Sequence, residues 1–188
     1  MHRYHRPFVL NEATSWLLRW MEAIGLKQAH LVGHSMGGYM CLWIAAHNPE
    51  LVHRLVLVAP AGVPLKSSLL GSLLPLVRTS FYTTPSFWPI LMHDAWRMGP
   101  VTFVRAAQEI LSKDIQDDLT SIRAPTLLIW GEHDRLVPPT LAATLLKEIA
   151  DARLLVLKQT GHVPMFDRPQ EFNAALLAFL AEDAVGKQ

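Results

Sequence analysis

The sequence predicts an α/β protein with a mostly parallel sheet and helices on both faces of that sheet. Three stretches, 55–59, 126–130 and 154–157, are apolar throughout rather than at alternate positions, which is typical of buried parallel strands. Helical patterns separate these stretches, and a last helix is expected after Pro169. With 188 residues, 51% of them hydrophobic, the chain is long enough for one domain with a substantial core.

The N-terminal part of the chain predicts a helix, a strand and a second helix. Asn11 is the expected N-cap of the first helix and Gly25 its stop. A strand over 29–32 follows, and a second helix over 36–47 ends before Pro49. The apolar spacing predicts one buried face on the first helix, which consists of Ala13, Trp16, Leu17, Trp20, Met21 and Ile24.

A segment of different composition separates the strand at 55–59 from the strand at 126–130. Six of the 13 prolines lie between positions 60 and 100, and six aromatic residues lie between 81 and 103. These aromatic residues are too irregularly spaced to form one amphipathic face. We therefore predict that residues 64–120 form a partly helical lid, and that 1–63 and 121–188 form the α/β core.

The turn between the first strand and the second helix has the pattern Gly-x-Ser-x-Gly, formed by Gly33, Ser35 and Gly37. Such a turn exposes the serine hydroxyl in a strained backbone conformation, where side chains two positions away would collide. Both glycines are therefore expected to be required. The helix that follows directs free N–H groups and its positive dipole end at the serine. The pattern predicts a nucleophile at Ser35.

A nucleophilic serine needs a base, and the base needs an acid that orients it. The loop after the strand at 126–130 offers Asp134, and the loop after the strand at 154–157 offers His162. The carboxyl ends of parallel strands lie at one edge of a sheet, so Ser35, Asp134 and His162 can converge there. Their order along the chain is the one expected for this arrangement.

Three neighbouring side chains are weaker candidates. Glu132 lies closer to its strand end than the reach to His162 requires. His34 and His133 sit beside site residues in turns, and their side chains are expected to point away from the site. The remaining histidines have no metal-ligand spacing, so no metal is expected.

Four segments resemble the α/β-hydrolase superfamily, and together they span nearly the whole chain. LVGHSMGG, VLVAPAG, TLLIWGEHDRLVP and GHVPMFDRPQEF are similar to its nucleophile, post-nucleophile strand, acid and histidine segments. The resemblance implies that Ser35 is the nucleophile, Asp134 the acid and His162 the base, with the Met36 N–H in the oxyanion hole. It implies no cofactor, and it matches the lid to the family's cap.

The resemblance implies a serine hydrolase that cleaves carboxylic esters. The aromatic and aliphatic side chains of the lid favour a small ester with a lipophilic acyl or aryl group. Carbon–carbon hydrolases and cofactor-free perhydrolases share the triad and stay open as alternatives, whereas a haloalkane dehalogenase would need an acidic residue in place of Ser35. A net charge of +1 gives no reason to expect nucleic acid as a partner.

The chain also departs from the pattern of the family, whose members have an earlier strand that ends in a His-Gly loop. That loop supplies a second oxyanion donor, and no His-Gly pair precedes residue 25 here. Loss of one donor typically lowers turnover by about 10²- to 10³-fold. We expect a fragment of a longer protein rather than a chain that recruits the missing edge from a partner. A non-catalytic or weakly active fragment is the alternative function.

Strand 29–32 then becomes an apolar sheet edge at which two copies of the chain could associate. No apolar stretch is long enough to cross a bilayer and no signal peptide is visible, so a cytoplasmic location is expected. Cys41 is the single cysteine and is expected to be a small buried hydrophobe rather than half of a disulfide.

Overall fold

The sheet consists of four parallel strands in the order β1-β2-β3-β4, in a computed structural model that describes residues 9–64, 71 and 73–182. The strands are β1 Ala29–His34, β2 Val52–Val58, β3 Thr126–Gly131 and β4 Ala152–Leu157. Each predicted strand is present, with ends that shift by at most three residues. The predicted parallel sheet is confirmed.

Eight α-helices lie within the described residues. They are α1 Leu10–Ala23, α2 Met36–His47, α3 Leu73–Ser80, α4 Trp88–Met98, α5 Pro100–Ser112, α6 Ala142–Glu148, α7 Pro164–Asp167 and α8 Pro169–Ala181. Helix α2 has the predicted bounds, and α8 begins at the predicted proline. Short 3₁₀ helices cover Pro49–Leu51, Pro85–Phe87, Gln116–Ser121 and Pro139–Leu141.

Helices cover the two central strands on both faces. Successive side chains of β2 and β3 point to opposite sides of the sheet, and both sides carry buried apolar side chains. On one face Leu57 and Trp130 pack with α1, α2 and α6. On the other face Val58 and Ile129 pack with Phe179 of α8. Full burial of an aliphatic side chain of this size contributes about 1.5–3 kcal/mol. The predicted helices on both faces are confirmed.

Strand β4 is less buried than the sequence predicts, and β1, which is predicted to be an edge, is also partly exposed. Val32 of β1 is 48% exposed, and Leu154 and Val156 of β4 are 38% and 39% exposed. Among the described strands, β1 pairs with β2 alone and β4 with β3 alone. An unbroken apolar run predicts a strand but does not report its position in the sheet, so the expectation of full cover is correct only for β2 and β3.

Helix α1 ends as predicted but begins differently. Gly25 has a φ of +70° just after the helix, which confirms the predicted stop. The helix begins at Leu10, and its N-cap is Val9, without a side-chain hydrogen bond, so the prediction of Asn11 as the cap is wrong. The Leu10 N–H instead donates to the Glu109 carboxylate of α5 at 3.3 Å, so a distant residue binds the helix start.

The predicted buried face of α1 is also wrong in part. Trp16, Trp20 and Ile24 are 61%, 45% and 54% exposed, whereas Thr14 and Met21 are buried. Apolar residues are distributed around much of this helix, so its periodicity permits more than one buried face. The packing against α2 and α5 selects the face that is buried.

Helices α3, α4 and α5 lie between β2 and β3 in the chain, inside the predicted insertion at 64–120. Several apolar side chains of this segment face solvent, with Phe81 80% and Trp96 82% exposed. The boundaries of the insertion stay a prediction. None of the helices formed by the described residues is both long and apolar enough to span a membrane.

Candidate active site

Ser35 lies at the sharp turn between β1 and α2. Its φ of 51° and ψ of −114° are rare for a residue other than glycine. The Ser35 N–H donates to the carbonyl of Val58 in β2, and the Ser35 carbonyl accepts from the Ala61 N–H, each at 3.0 Å. A strained backbone persists only where its surroundings hold it. Here β2 and the loop after it hold the turn.

Of the two positions at which glycine is predicted to be required, steric contacts explain the requirement at one. A Cβ added to Gly33 would lie 2.5 Å from the carbonyl oxygen of Gly37 and 2.7 Å from Cys41 Sγ. Apart from its chain neighbours and the nearby backbone of its own helix, a Cβ added to Gly37 would meet no atom of the described residues within 4 Å, so the predicted collision there is wrong. The close approach is at Gly38, where an added Cβ would lie 2.6 Å from Pro60 Cβ. This part of α2 packs against the loop after β2.

Asp134 and His162 meet at the carboxyl ends of β3 and β4. His162 Nδ1 lies 2.7 Å from Asp134 Oδ2, and an ionised carboxylate only accepts, so Nδ1 is the donor. Asp134 is fully buried, and its Oδ1 accepts from the backbone N–H groups of Leu136 and Val137 at 2.9 Å each. The carboxylate is thus fixed from both oxygens, and it holds the His162 ring through Nδ1.

Backbone hydrogen bonds join the loops that carry these two side chains. The Glu132 N–H donates to the Leu157 carbonyl at 2.9 Å, and the His133 N–H donates to the Thr160 carbonyl at 3.0 Å. Gly131 lies at a close approach of the two loops, because a Cβ there would collide with the Gly161 carbonyl oxygen and lie 2.7 Å from that of Thr160. The distance between the acid loop and the histidine loop is therefore set by the backbone as well as by the side chains.

The predicted insertion contacts the acid loop. Thr79 of α3 is buried, and its Oγ1 accepts from the backbone N–H groups of Arg135 and Leu136 at 2.7 and 3.1 Å. Beyond the end of α3, the Tyr82 ring stacks on His133 with 3.9 Å between ring centroids. His133 is thus directed towards the insertion.

Asp167 joins the insertion to the histidine loop. Its Oδ1 accepts from the backbone N–H and the hydroxyl of Thr84 at 2.8 and 3.1 Å, and its Oδ2 accepts from the Gly161 N–H at 3.2 Å. Asp167 is not among the site residues that the sequence predicts. Its one sequence signal is its place in the segment that follows His162.

Glu132 has a different set of contacts from Asp134. Its carboxylate accepts from the Gln159 N–H at 3.1 Å and lies 3.5 Å from His133 Nε2. Its side chain is 44% exposed, whereas that of Asp134 is fully buried. The geometry therefore favours Asp134 over Glu132 as the residue that orients His162.

His34 does not point away from the site, contrary to the prediction. Its Nε2 lies 2.7 Å from the carbonyl oxygen of His162, and the two rings are 4.7 Å apart with an interplanar angle of 49°. Burial, and then the charge of His162, lower the pKa of His34 to about 4. His34 is therefore neutral at neutral pH, and its Nε2–H donates to the carbonyl.

Cys41 lies close to the serine turn but has no reactive environment. The side chain is buried, and burial raises the pKa of its thiol to about 12, so it is not a thiolate at neutral pH. The prediction of a buried hydrophobe is confirmed. Within the described ranges, no group of three or more His, Cys, Asp or Glu side chains could hold a metal ion.

A parallel sheet with a strained serine turn at the end of one strand and a histidine–aspartate pair after later strands defines a class of proteins. The model of the alpha/beta hydrolase family matches residues 2–175 of this chain. The chain belongs to this α/β-hydrolase family. Four of its sequence segments resemble the family.

Named hydrolases are among the proteins most similar to the chain. A 2-hydroxy-6-oxo-6-phenylhexa-2,4-dienoate hydrolase of Comamonas testosteroni is 30% identical over 86% of this chain and 66% of its own length. A hydrolase of the same name from Burkholderia cepacia is 31% identical over 86% of this chain and 65% of its own length. The chain thus spans about two thirds of the length of these curated relatives.

A crystal structure of a serine hydrolase involved in carbazole degradation, the CarC enzyme, has the same fold. Its TM-score is 0.76 at 23% identity, and the match covers 96% of this chain and 74% of that one. At this identity the likeness shows the fold alone.

Gly38→Ala is expected to lower the free energy of unfolding by about 1–3 kcal/mol, because the new Cβ must displace Pro60. Gly37→Ala is the matched control in the same helix. It is expected to raise the free energy of unfolding by about 0.5–1 kcal/mol, since alanine forms helices better than glycine and the space is open. Urea unfolding followed by circular dichroism measures both. Equal effects of the two substitutions would contradict this account of the turn.

Proposed function

We propose that the chain carries the nucleophile, base and acid of a serine hydrolase, which are Ser35, His162 and Asp134. The observation that carries this proposal is the 2.7 Å contact between His162 Nδ1 and Asp134 Oδ2. His34 directly precedes Ser35 and contacts the His162 carbonyl, so the serine turn lies beside the pair. The chain spans about two thirds of the length of its curated relatives, so the activity of the whole protein is part of the proposal.

The proposed reaction begins when Ser35 Oγ attacks the acyl carbon and His162 Nε2 takes the hydroxyl proton. The former carbonyl oxygen becomes an anion, to which the N–H of Met36, the first residue of α2, donates. The intermediate collapses, and the leaving group departs with the proton from His162. Water, deprotonated by His162, then attacks the acyl-enzyme, which releases the acid and restores Ser35.

The first candidate substrate is a small carboxylic ester with a lipophilic acyl or aryl group. We propose that residues 64–120 act as the cap that binds this group. Tyr82 stacks on His133, and Phe87 lies 5.1 Å from Phe166 between ring centroids, so aromatic side chains of the insertion contact both loops of the site. Aromatic and apolar surroundings favour a lipophilic ligand over a sugar or a charged metabolite.

The second candidate is hydrolysis of a carbon–carbon bond next to a ketone, and the relatives favour it. Both curated relatives described above are named as hydrolases of 2-hydroxy-6-oxo-6-phenylhexa-2,4-dienoate. Attack by Ser35 on the acyl carbon is the same in the two reactions. They differ in the leaving group, which is an alkoxide from an ester and a carbanion from a ketone. The carbanion must be delocalised to depart, so the substrate decides which reaction the same residues perform.

Ser35→Ala is expected to abolish covalent labelling by a fluorophosphonate probe and hydrolysis of p-nitrophenyl butyrate, because the attacking oxygen is removed. Ser121→Ala changes an exposed serine outside the site and is the matched control. Gel fluorescence and ester kinetics measure the two effects. Labelling that survives in the Ser35 variant would remove Ser35 from the mechanism.

The same assay separates the two candidate substrates. Wild-type chain is given p-nitrophenyl butyrate and, in parallel, 2-hydroxy-6-oxo-6-phenylhexa-2,4-dienoate, with Ser35→Ala as the blank for each. A higher kcat/KM for the ester supports the first candidate, and a higher kcat/KM for the dienoate supports the second.

Asp134→Asn is expected to lower kcat by about 10⁴-fold. The amide oxygen can still accept from the Leu136 and Val137 N–H groups, which leaves the fold intact, but the amide NH₂ then faces His162 Nδ1 and selects the wrong tautomer. Glu132→Gln is the matched control and is expected to stay near wild type. Pre-steady-state ester kinetics measure both. A damaging Glu132→Gln with a harmless Asp134→Asn would show that the acid is Glu132.

We also propose that the chain self-associates through strand β1. This strand pairs with β2 alone among the described strands, and it exposes Val32. An unpaired strand edge with apolar side chains is a template for pairing with another chain, and a lysine on such an edge opposes that pairing. We therefore propose that a second copy of this chain pairs with β1.

Val32→Lys is expected to shift the chain from an oligomer towards a monomer. Val101→Lys makes the same change at a residue of α5 that is 63% exposed, and it is expected to leave the oligomer unchanged. Sedimentation velocity over a range of concentrations measures the effect. A wild-type chain that is monomeric at every concentration would contradict the proposal.

A further inference from the structure

The imidazole of His34 joins the serine turn directly to the peptide group of His162. Its Nε2 lies 2.7 Å from the His162 carbonyl oxygen, a contact between residues 128 positions apart. The two rings also pack at 4.7 Å between centroids. Because His34 immediately precedes Ser35, the contact connects the neighbour of the proposed nucleophile with the proposed base.

Three different groups hold the His162 ring, the His162 carbonyl and the residue that precedes His162. Asp134 holds the ring through Nδ1 at 2.7 Å, and Asp167 holds the preceding residue through the Gly161 N–H at 3.2 Å. His34 holds the carbonyl. The carboxylate of Asp134 can orient the imidazole about its own bonds, but it does not fix the backbone from which the ring extends. A base in a loop needs that backbone fixed to stay within hydrogen-bond reach of its nucleophile.

We propose that His34 is a positioning residue, whose Nε2–H fixes the peptide group of His162 and whose ring packs beside the His162 imidazole, so that the imidazole is directed towards the turn that carries Ser35. This inference rests on the proposed function. It assigns a role in the site to a residue that the mechanism itself does not use.

The charge state of His34 suits this role. Its pKa of about 4 means that it does not titrate near neutral pH. The titratable groups that act on it are His162 and Asp134. His162 becomes an imidazolium during the proposed reaction, and a second positive ring 4.7 Å away would oppose that charge. A neutral His34 can donate to the carbonyl without this repulsion.

Two substitutions that differ by one methylene group test the role of the donor. His34→Gln places an amide nitrogen at about the reach of the imidazole Nε2, whereas His34→Asn places it too close to the backbone to contact the His162 carbonyl. His93→Asn makes the same change on an exposed side chain of α4 and is the control. The rate constant of fluorophosphonate labelling at Ser35 is measured at pH 7, with the thermal unfolding midpoint of each variant.

His34→Asn is expected to slow labelling by ~10- to 100-fold, in line with the cost of a misplaced catalytic group. His34→Gln is expected to restore most of the rate at a similar unfolding midpoint. A wild-type rate in the Asn variant would overturn the proposal. A Gln variant that is labelled as slowly as the Asn variant would also overturn it. Restoration of the rate by Gln alone requires a donor at the reach of the imidazole Nε2, which a role in packing does not.

The proton on His162 Nδ1 gives a readout that does not need the reaction. Its NMR resonance is expected to be sharp and strongly downfield in wild type and His34→Gln, and broadened or shifted in His34→Asn. An unchanged resonance in the Asn variant would overturn the positioning role. The three proteins could show this NMR pattern while the probe never labels the wild-type chain. That result would support the positioning role and refute the proposed function.

Discussion

The parallel pairing of the four strands is the constraint on which the site depends. The register places His34 of β1 opposite Val58 of β2, and Gly131 of β3 opposite Leu157 of β4. All four strands therefore end at the same edge, and the segments that follow β1, β3 and β4 meet there. An antiparallel neighbour would carry its following loop to the other edge.

Two costly local features exist in the site because the surrounding fold stabilises them. Ser35 keeps a strained backbone since Val58 and Ala61 bind its peptide groups. Asp134 keeps a buried carboxylate since it accepts hydrogen bonds from two backbone N–H groups and from His162. A buried carboxylate without such partners would cost several kcal/mol. The chemistry of the site thus depends on loops that the sheet and the insertion hold together.

Sequence patterns predicted the elements and the approximate location of the candidate site. The Gly-x-Ser-x-Gly turn, the bounds of α2 and the strands before Asp134 and His162 could all be predicted, because each depends on local backbone preference or on hydrophobic period. The structure places the carboxylate and the imidazole within hydrogen-bond distance. Their catalytic roles and the boundaries of the cap stay predictions.

Contacts between distant parts of the chain decided what these patterns could not. The exposed Trp16 of α1 and the half-exposed edge strands follow from what packs beside them, which a hydrophobic period does not report. Gly38, not Gly37, is crowded because Pro60 from the next loop packs there. His34 faces the site because the His162 carbonyl, 128 residues later, accepts a hydrogen bond from its Nε2–H. The sequence by itself determined the strands, the serine turn and the family, since these are written in local patterns. The partners of each side chain were decided by the tertiary structure alone, because they lie on elements that only folding brings together.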